Sequence, residues 1–401
     1  MSYIEIISTA VAICPIIAFI LSGIYFILQY KKYGSVSFFR TFILYTFLLY
    51  CICAYFLVIL PLPNREEVAR RTGPTTQLIP FNVIKVFVED SGFTLTKPST
   101  YLTALTSHEF LQPTFNFLLL LPLGFYLRYY FKLKAKKASK IALLTTIFFE
   151  LTQFSGLYGI YSRPYRLLDV DDLMLNYSGC MLGFLIAPIF VAALPTREEI
   201  DNKAYKHGAH ITLMRRAFAN FIDILITALV YSICLLFVYA VYHISFLNEL
   251  ATFKQFEHQL PYILAIGYII INVLYHIIFI LAIGGSTPGK YILGIRIIDK
   301  REKKLSKFRI LIRYILYLSL TYAIPLSIIY IYYKYLLNNL IAAIVMGIIL
   351  ALTLVYTIIR VIVGIFSNKY TYFSYELLTR TKLSTVIKDD NSSSILQNQS
   401  Y

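Results

Sequence analysis

Apolar runs of about 20 residues, the length an α-helix needs to cross a bilayer, recur nine times along the chain. They lie near 5–30, 40–62, 110–131, 140–160, 174–194, 217–245, 261–284, 310–333 and 338–366. Short polar segments separate most of them, and one long stretch, 63–109, separates the second from the third. The pattern predicts an all-α polytopic integral membrane protein of about nine transmembrane helices in two helical-bundle units. The first run has Glu5 and no basic residues before it, so it reads as a retained helix rather than a cleaved signal.

The polar segments carry the topology. Loop 31–40 holds Lys31, Lys32 and Arg40, and loop 132–140 holds Lys132, Lys134, Lys136, Lys137 and Lys140. Loop 195–216 ends in Arg215 and Arg216, and loop 285–309 has eight Lys and Arg from Lys290 to Arg309. These alternate loops fall on one side, which the positive-inside rule assigns to the cytoplasm. The expectation is a multi-pass cell-membrane protein with its N-terminus outside and its C-terminus inside. Loop 63–109 is then external, and long loops carry no topological signal.

Composition sharpens this reading. The 401 residues are 58% hydrophobic and 14% charged, against about a quarter charged in soluble domains. Mean hydropathy is +0.67. The net charge of +16 lies in the loop clusters, so membrane lipids are the expected partners and nucleic acid is not. No P-loop, HExxH or GxSxG occurs, so no cofactor and no catalytic residue is indicated, and an enzyme is not expected. The five cysteines sit in apolar runs without metal-site spacing and read as buried small hydrophobes.

The first candidate site surrounds LLDVDDLMLNYSGCMLGF, residues 167–184. Asp172, Asn176, Gly179 and Gly183 fall at i, i+4, i+7 and i+11, one stripe of a helix. Small residues let a second helix approach, and Asn hydrogen-bonds across such a seam. In the preceding run Glu150 and Gln153 share a face, and Glu150 is expected near mid-membrane, where an ionisable group is costly unless paired or hydrated. Asn116 lies in the third run, where Pro122 and Gly124 predict a bend. Asn116, Glu150, Gln153, Arg166, Asp169, Asp171, Asp172 and Asn176 therefore form one candidate cluster near the outer leaflet. Two readings stay open: a polar seam with an Arg–Asp pair at its rim, or a site for a polar or cationic group. Clustered carboxylates are also ligands of hard divalent cations, which leaves a metal undetermined.

The same residues carry a resemblance. Asn116 with Pro122, Leu123 and Gly124, then Glu150 and Gln153, then Arg166, Asp169, Asp171, Asp172, Asn176, Gly179 and Gly183 resemble the VanZ-like family over roughly 40–194. The resemblance implies a small multispan membrane unit of about four helices, named from low-level teicoplanin resistance in Gram-positive bacteria. By that measure the first helix, 1–39, is an addition.

A second stripe opens the sixth run. Arg216, Asn220, Asp223 and Thr227 again fall at i, i+4, i+7 and i+11. Lys290 lies in the GGSTPGK segment that ends the seventh run, and Arg313 opens the eighth. Asp223 is expected either to pair with Arg216 or Arg313, with Asn220 bridging, or to mark an ion or substrate pathway. Arg216, Asp223, Thr287, Pro288, Gly289, Lys290, Gly294, Arg296, Asp299 and Arg313 resemble the RDD family over about 210–375. That resemblance implies a membrane unit for which transport, including sodium/proton exchange, has been suggested. The expected organisation is an added helix (1–39), a VanZ-like domain (40–194), a cytoplasmic linker (195–210), an RDD-like domain (211–375) and a partly disordered cytoplasmic tail (376–401). The expected function is an envelope protein binding an amphiphile, a glycopeptide or a lipid-linked wall precursor, at the outer leaflet. The alternative is an ion or small-solute transporter using the intramembrane Arg/Asp/Glu network.

Overall fold

A computed structural model describes residues 3–192, 194–244, 260–301, 305–319 and 372–386, with scattered residues between 341 and 362. Most of the expected eighth and ninth runs, the loops near 246–259 and 334–337, and the tail from 387 lie outside the described residues. Among the described residues, five helices are long and apolar enough to cross a membrane: Ile4–Tyr33, Phe38–Ile59, His108–Tyr129, Val170–Val191 and Leu213–Ala240. The chain divides into two compact units, one of Met1–Gly23 with Ser37–Asn202, the other of Ile24–Val36 with Lys203–Tyr401.

The first unit begins in α1 (Tyr3–Tyr33) and α2 (Phe38–Ile59). The long stretch after α2 is structured. It holds α3 (Arg65–Arg70), β1 (Thr76–Gln77), α4 (Asn82–Asp90) and α5 (Tyr101–Leu105). The third apolar run breaks at Leu120 into α6 (His108–Leu119) and α7 (Leu121–Tyr129), because Pro122 has no N–H for a continuous helix and sits instead in the first turn of α7.

Helix α8 (Ala135–Phe154) is stopped by α9 (Gly156–Gly159). In α9 Gly156, Leu157, Tyr158 and Gly159 all have positive φ, a left-handed turn that glycine starts and ends without steric cost. Then β2 (Leu168–Asp169) pairs in parallel with β1, Thr76 opposite Leu168 and Gln77 opposite Asp169. It leads into α10 (Val170–Val191).

The small-residue stripe of α10 packs on the broken helix. A Cβ on Gly179 would lie 1.7 Å from the Phe117 carbonyl oxygen, and one on Gly183 would lie 2.0 Å from that of Leu121. From the other side, a Cβ on Gly124 would lie 1.9 Å from the Cys180 carbonyl oxygen. Backbone meets backbone here, as the spacing predicts. Leu120, Leu123, Leu127, Ala138, Ala142, Phe149 and Phe184 fill the core around this contact. Of the cysteines, Cys14 and Cys180 are buried, but Cys51 and Cys234 sit on exposed helix faces.

The segment expected to be a linker is helical. In α11 (Arg197–Gly208) Ile200 and Ala204 are buried four residues apart, a stripe too narrow to stand out against its charge. Asp201 takes an ion pair from the buried Arg40, and Glu198 takes one from Lys132.

The second unit contains α12 (Leu213–Ile244), α13 (Leu260–Ala282), α14 (Pro288–Ile292), β3 (Ile295–Asp299), α15 (Lys307–Leu318), α16 (Ser374–Leu378) and β4 (Thr381–Thr385). Strand β3 alternates, with Ile295, Ile297 and Asp299 buried and Arg296 exposed. It pairs antiparallel with β4, Ile297 opposite Leu383. The stretch expected to begin the tail therefore contributes a strand and a helix to the unit. Ala219, Ile222, Leu293, Ile295, Ile310 and Leu383 form its core.

Candidate functional site

In the first unit, three helices bring four of the eight predicted residues together. Asn116 on α6 donates its amide N–H to Asp172 Oδ1. Glu150 Oε2 accepts the Asp169 backbone N–H at 3.3 Å. Asp169 caps α10, its carboxylate accepting the Asp171 N–H at 2.8 Å and the Gln77 amide at 3.4 Å. Glu150 and Asp172 act on each other electrostatically, with Asp169 beside both, and Arg166 is a cation that acts on both. Asn176, one turn deeper on α10, is 4% exposed, and its Oδ1 is buried with no hydrogen-bond partner. Burial raises the Asp169 carboxyl above the usual Asp range, opposed by the Asp171 N–H.

Three predicted residues do other work. Asp171 turns away and accepts the Phe81 and Val83 N–H groups at 2.6 and 2.8 Å, so it caps α4 and fastens the long loop. Gln153 donates to the Val58 carbonyl at 2.8 Å and anchors the end of α2. Arg166 is exposed and donates to the Leu60 carbonyl at 3.2 Å. Among the described residues it forms no ion pair with an aspartate, so the expected Arg–Asp rim pair is replaced by a bond to backbone. Glu150, expected near the middle of its run, lies near a helix end. Helix α8 ends at Phe154, earlier than hydropathy suggested, because Gly156 reverses the chain. Glu150 therefore lies in the last turn, level with the start of α10.

The second cluster forms differently from its expected pairing. Asp223, 4% exposed, accepts Tyr275 OH at 2.7 Å, Thr287 OH at 2.6 Å and the Gly289 N–H at 2.7 Å. Three neutral donors hold it, and among the described residues no arginine pairs with it. A Cβ on Gly289 would meet the Ala219 carbonyl oxygen at 2.1 Å, so that approach requires glycine. Arg216 and Arg313 pair instead with Glu376, at 3.4 and 2.8 Å, and Glu376 is wholly buried. Arg313 also donates to Thr381. Asn220, expected as a bridge, is half-buried and lines a cavity beside Arg216. Lys290 donates to the hydroxyls of Thr287 and Tyr314 at 3.3 and 3.4 Å.

Arg215, read above as a loop charge, is fully buried. It donates to the carbonyls of Gly208, Leu293 and Gly294 and to Thr385 OH. Among the described residues no group of three His, Cys, Asp or Glu side chains is placed to hold a metal ion.

Residues 47–191 match the VanZ/LLP1 family model, and residues 211–369 match the RDD family model. The chain joins a VanZ/LLP1 segment to an RDD segment. With its apolar helices, it is a multi-pass membrane protein. Neither a curated protein nor a solved structure matches the chain. The Asn116–Glu150–Asp172 set falls in the VanZ-like half, the Asp223 set falls in the RDD half, and Arg216 and Arg313 of that half pair with Glu376, just past the matched residues. Sequence reasoning missed Glu376, Tyr275 and the buried role of Arg215. Glu376 stands in a short polar stretch after the last apolar run, where nothing marks a core residue.

Proposed function

We propose that the VanZ-like half binds the polar head of an amphiphile at the outer leaflet, a glycopeptide or a lipid-linked wall precursor, and so supports low-level tolerance to teicoplanin. The observation that carries this reading is the set of Asn116, Glu150, Asp169 and Asp172, with the unpartnered Asn176 carbonyl one turn below. Acceptor oxygens exceed donors there, and carboxylates exceed cations. An amine- or amide-rich head group supplies what is missing. The lysines opening α8 lie at the opposite end of that helix from Glu150, so the positive-inside rule favours an outward-facing cluster.

The test is growth inhibition by teicoplanin and vancomycin in a deletion strain carrying empty vector, wild type, Asp172→Asn or Glu150→Gln, with membrane levels matched. The reading expects wild type to raise teicoplanin tolerance and both variants to lose the effect. Equal inhibition of all four strains would remove its support. Transport is the second reading, favoured by the buried Asp223 carboxylate. Ion flux in vesicles that disappears with Asp223→Asn would favour it.

A further inference from the structure

A cavity of about 220 Å³ lies within the RDD half, among the start of α12, α14, α15 and the α16–β4 segment. Arg216, Lys290 and Arg313 line it, and no Asp or Glu does among the described residues. All three cations are buried, at 5%, 8% and 3% exposure. Each lies near an aromatic ring that also lines the cavity. Arg216 is 5.7 Å from the Phe373 centroid, Lys290 is 5.3 Å from Tyr314, and Arg313 is 5.0 Å from Tyr375.

Glu376 pairs with both arginines from behind the wall. The hydrogen bonds of Lys290 go to neutral hydroxyls. Asp223 is held by three donors of its own. Among the described residues the lining is therefore a desolvated surface carrying three cations and no carboxylate, framed by rings. Buried charge of one sign is costly unless a counter-charge is supplied.

We propose that this cavity binds a phosphate-type anion carried on an apolar body. Guanidinium forks and an ammonium are the groups that hold phosphate oxygens, and the rings provide a face for the attached hydrocarbon. The volume suits a head group rather than a large solute. A phospholipid head and a soluble phosphate share this chemistry, and the test separates them.

The experiment uses the full-length protein in an uncharged detergent, reading thermal stability and native mass spectra. The probes are short-chain phosphatidylglycerol, short-chain phosphatidylcholine and inorganic phosphate. Phosphatidylglycerol is expected to raise the melting temperature and remain bound. Lys290→Gln should weaken it about tenfold, the loss of one charge-assisted contact. Ala217→Phe, which fills the cavity from an exposed position, should abolish binding while leaving the unliganded melting temperature near wild type. If Lys290→Gln does not fold, Ala217→Phe decides. Inorganic phosphate as effective as the lipid would identify a free anion as the occupant, and a weaker effect would identify the lipid head. The proposal is overturned if no anionic probe shifts wild type, or if phosphatidylcholine matches phosphatidylglycerol, or if Ala217→Phe binds as wild type does.

Discussion

Glu376 is the residue on which the charged interior of the RDD half turns. It has no exposed surface and faces two guanidinium groups. Removing one partner from a buried ion pair strands the other charges, at a cost of about 3–5 kcal/mol. Glu376→Ala should therefore sharply lower the melting temperature of the purified protein, and an unchanged transition would deny the pairing. Asp299 gives a pH signature. Its carboxylate is held below the ordinary Asp range by the Arg301 N–H and the Arg309 guanidinium. A lowered folded value means stability that is present above about pH 3.9 and fades as pH falls through the folded value. The melting temperature of wild type should exceed that of Asp299→Asn at pH 7, and the gap should close below about pH 4. A gap undiminished at pH 3 would count against it. At this scale the sequence was partly legible. Asn116 and Asp172 are polar side chains on apolar helices and announce themselves. The partners of Asp171 are backbone N–H groups of Phe81 and Val83, which leave no trace in residue type.

Helix α10 shows what periodicity reads well. Its stripe of Asp172, Asn176, Gly179 and Gly183 is legible by spacing alone, and the contact it makes is backbone against backbone. Gly179→Val should force α10 away from α6 and cost about 2 kcal/mol or more by overpacking. The expected readout is a lower yield of monodisperse protein and faster loss on heating, and wild-type behaviour would show that the seam is loose. The long loop is the counter-case. Its helices are short and its one apolar stripe, on α4, is brief, so hydropathy saw only mixed charge. The loop is fastened by Asp171 at the start of α4, an N-cap-type contact worth about 1 kcal/mol. Limited proteolysis should cut within 81–90 faster in Asp171→Ala than in wild type, and an equal rate would mean that other contacts hold the loop.

At the scale of the molecule, the two-part organisation was visible because polar, charged segments interrupt the apolar runs. The exact division was not, because α11 is a helix with a narrow buried stripe and contacts divide the chain within it. The tail was misread for a related reason: β4 and α16 are short, and their burial comes from pairing with β3 and from Glu376, not from hydrophobic length. Removing residues 372–401 should leave Arg216 and Arg313 without Glu376 and β3 without its partner strand, so the shortened chain should fail to accumulate in membranes on immunoblots. The acidic cluster of the VanZ-like half is the centre of the functional reading. Its most direct test is equilibrium binding of teicoplanin to the purified full-length protein, comparing wild type with Glu150→Gln, Asp172→Asn and Asp171→Asn. The expected result is binding by wild type, a loss of about tenfold or more for Glu150→Gln and Asp172→Asn, and little change for Asp171→Asn, whose carboxylate serves the loop. Equal affinity across all four proteins would contradict a ligand site at Asn116, Glu150 and Asp172.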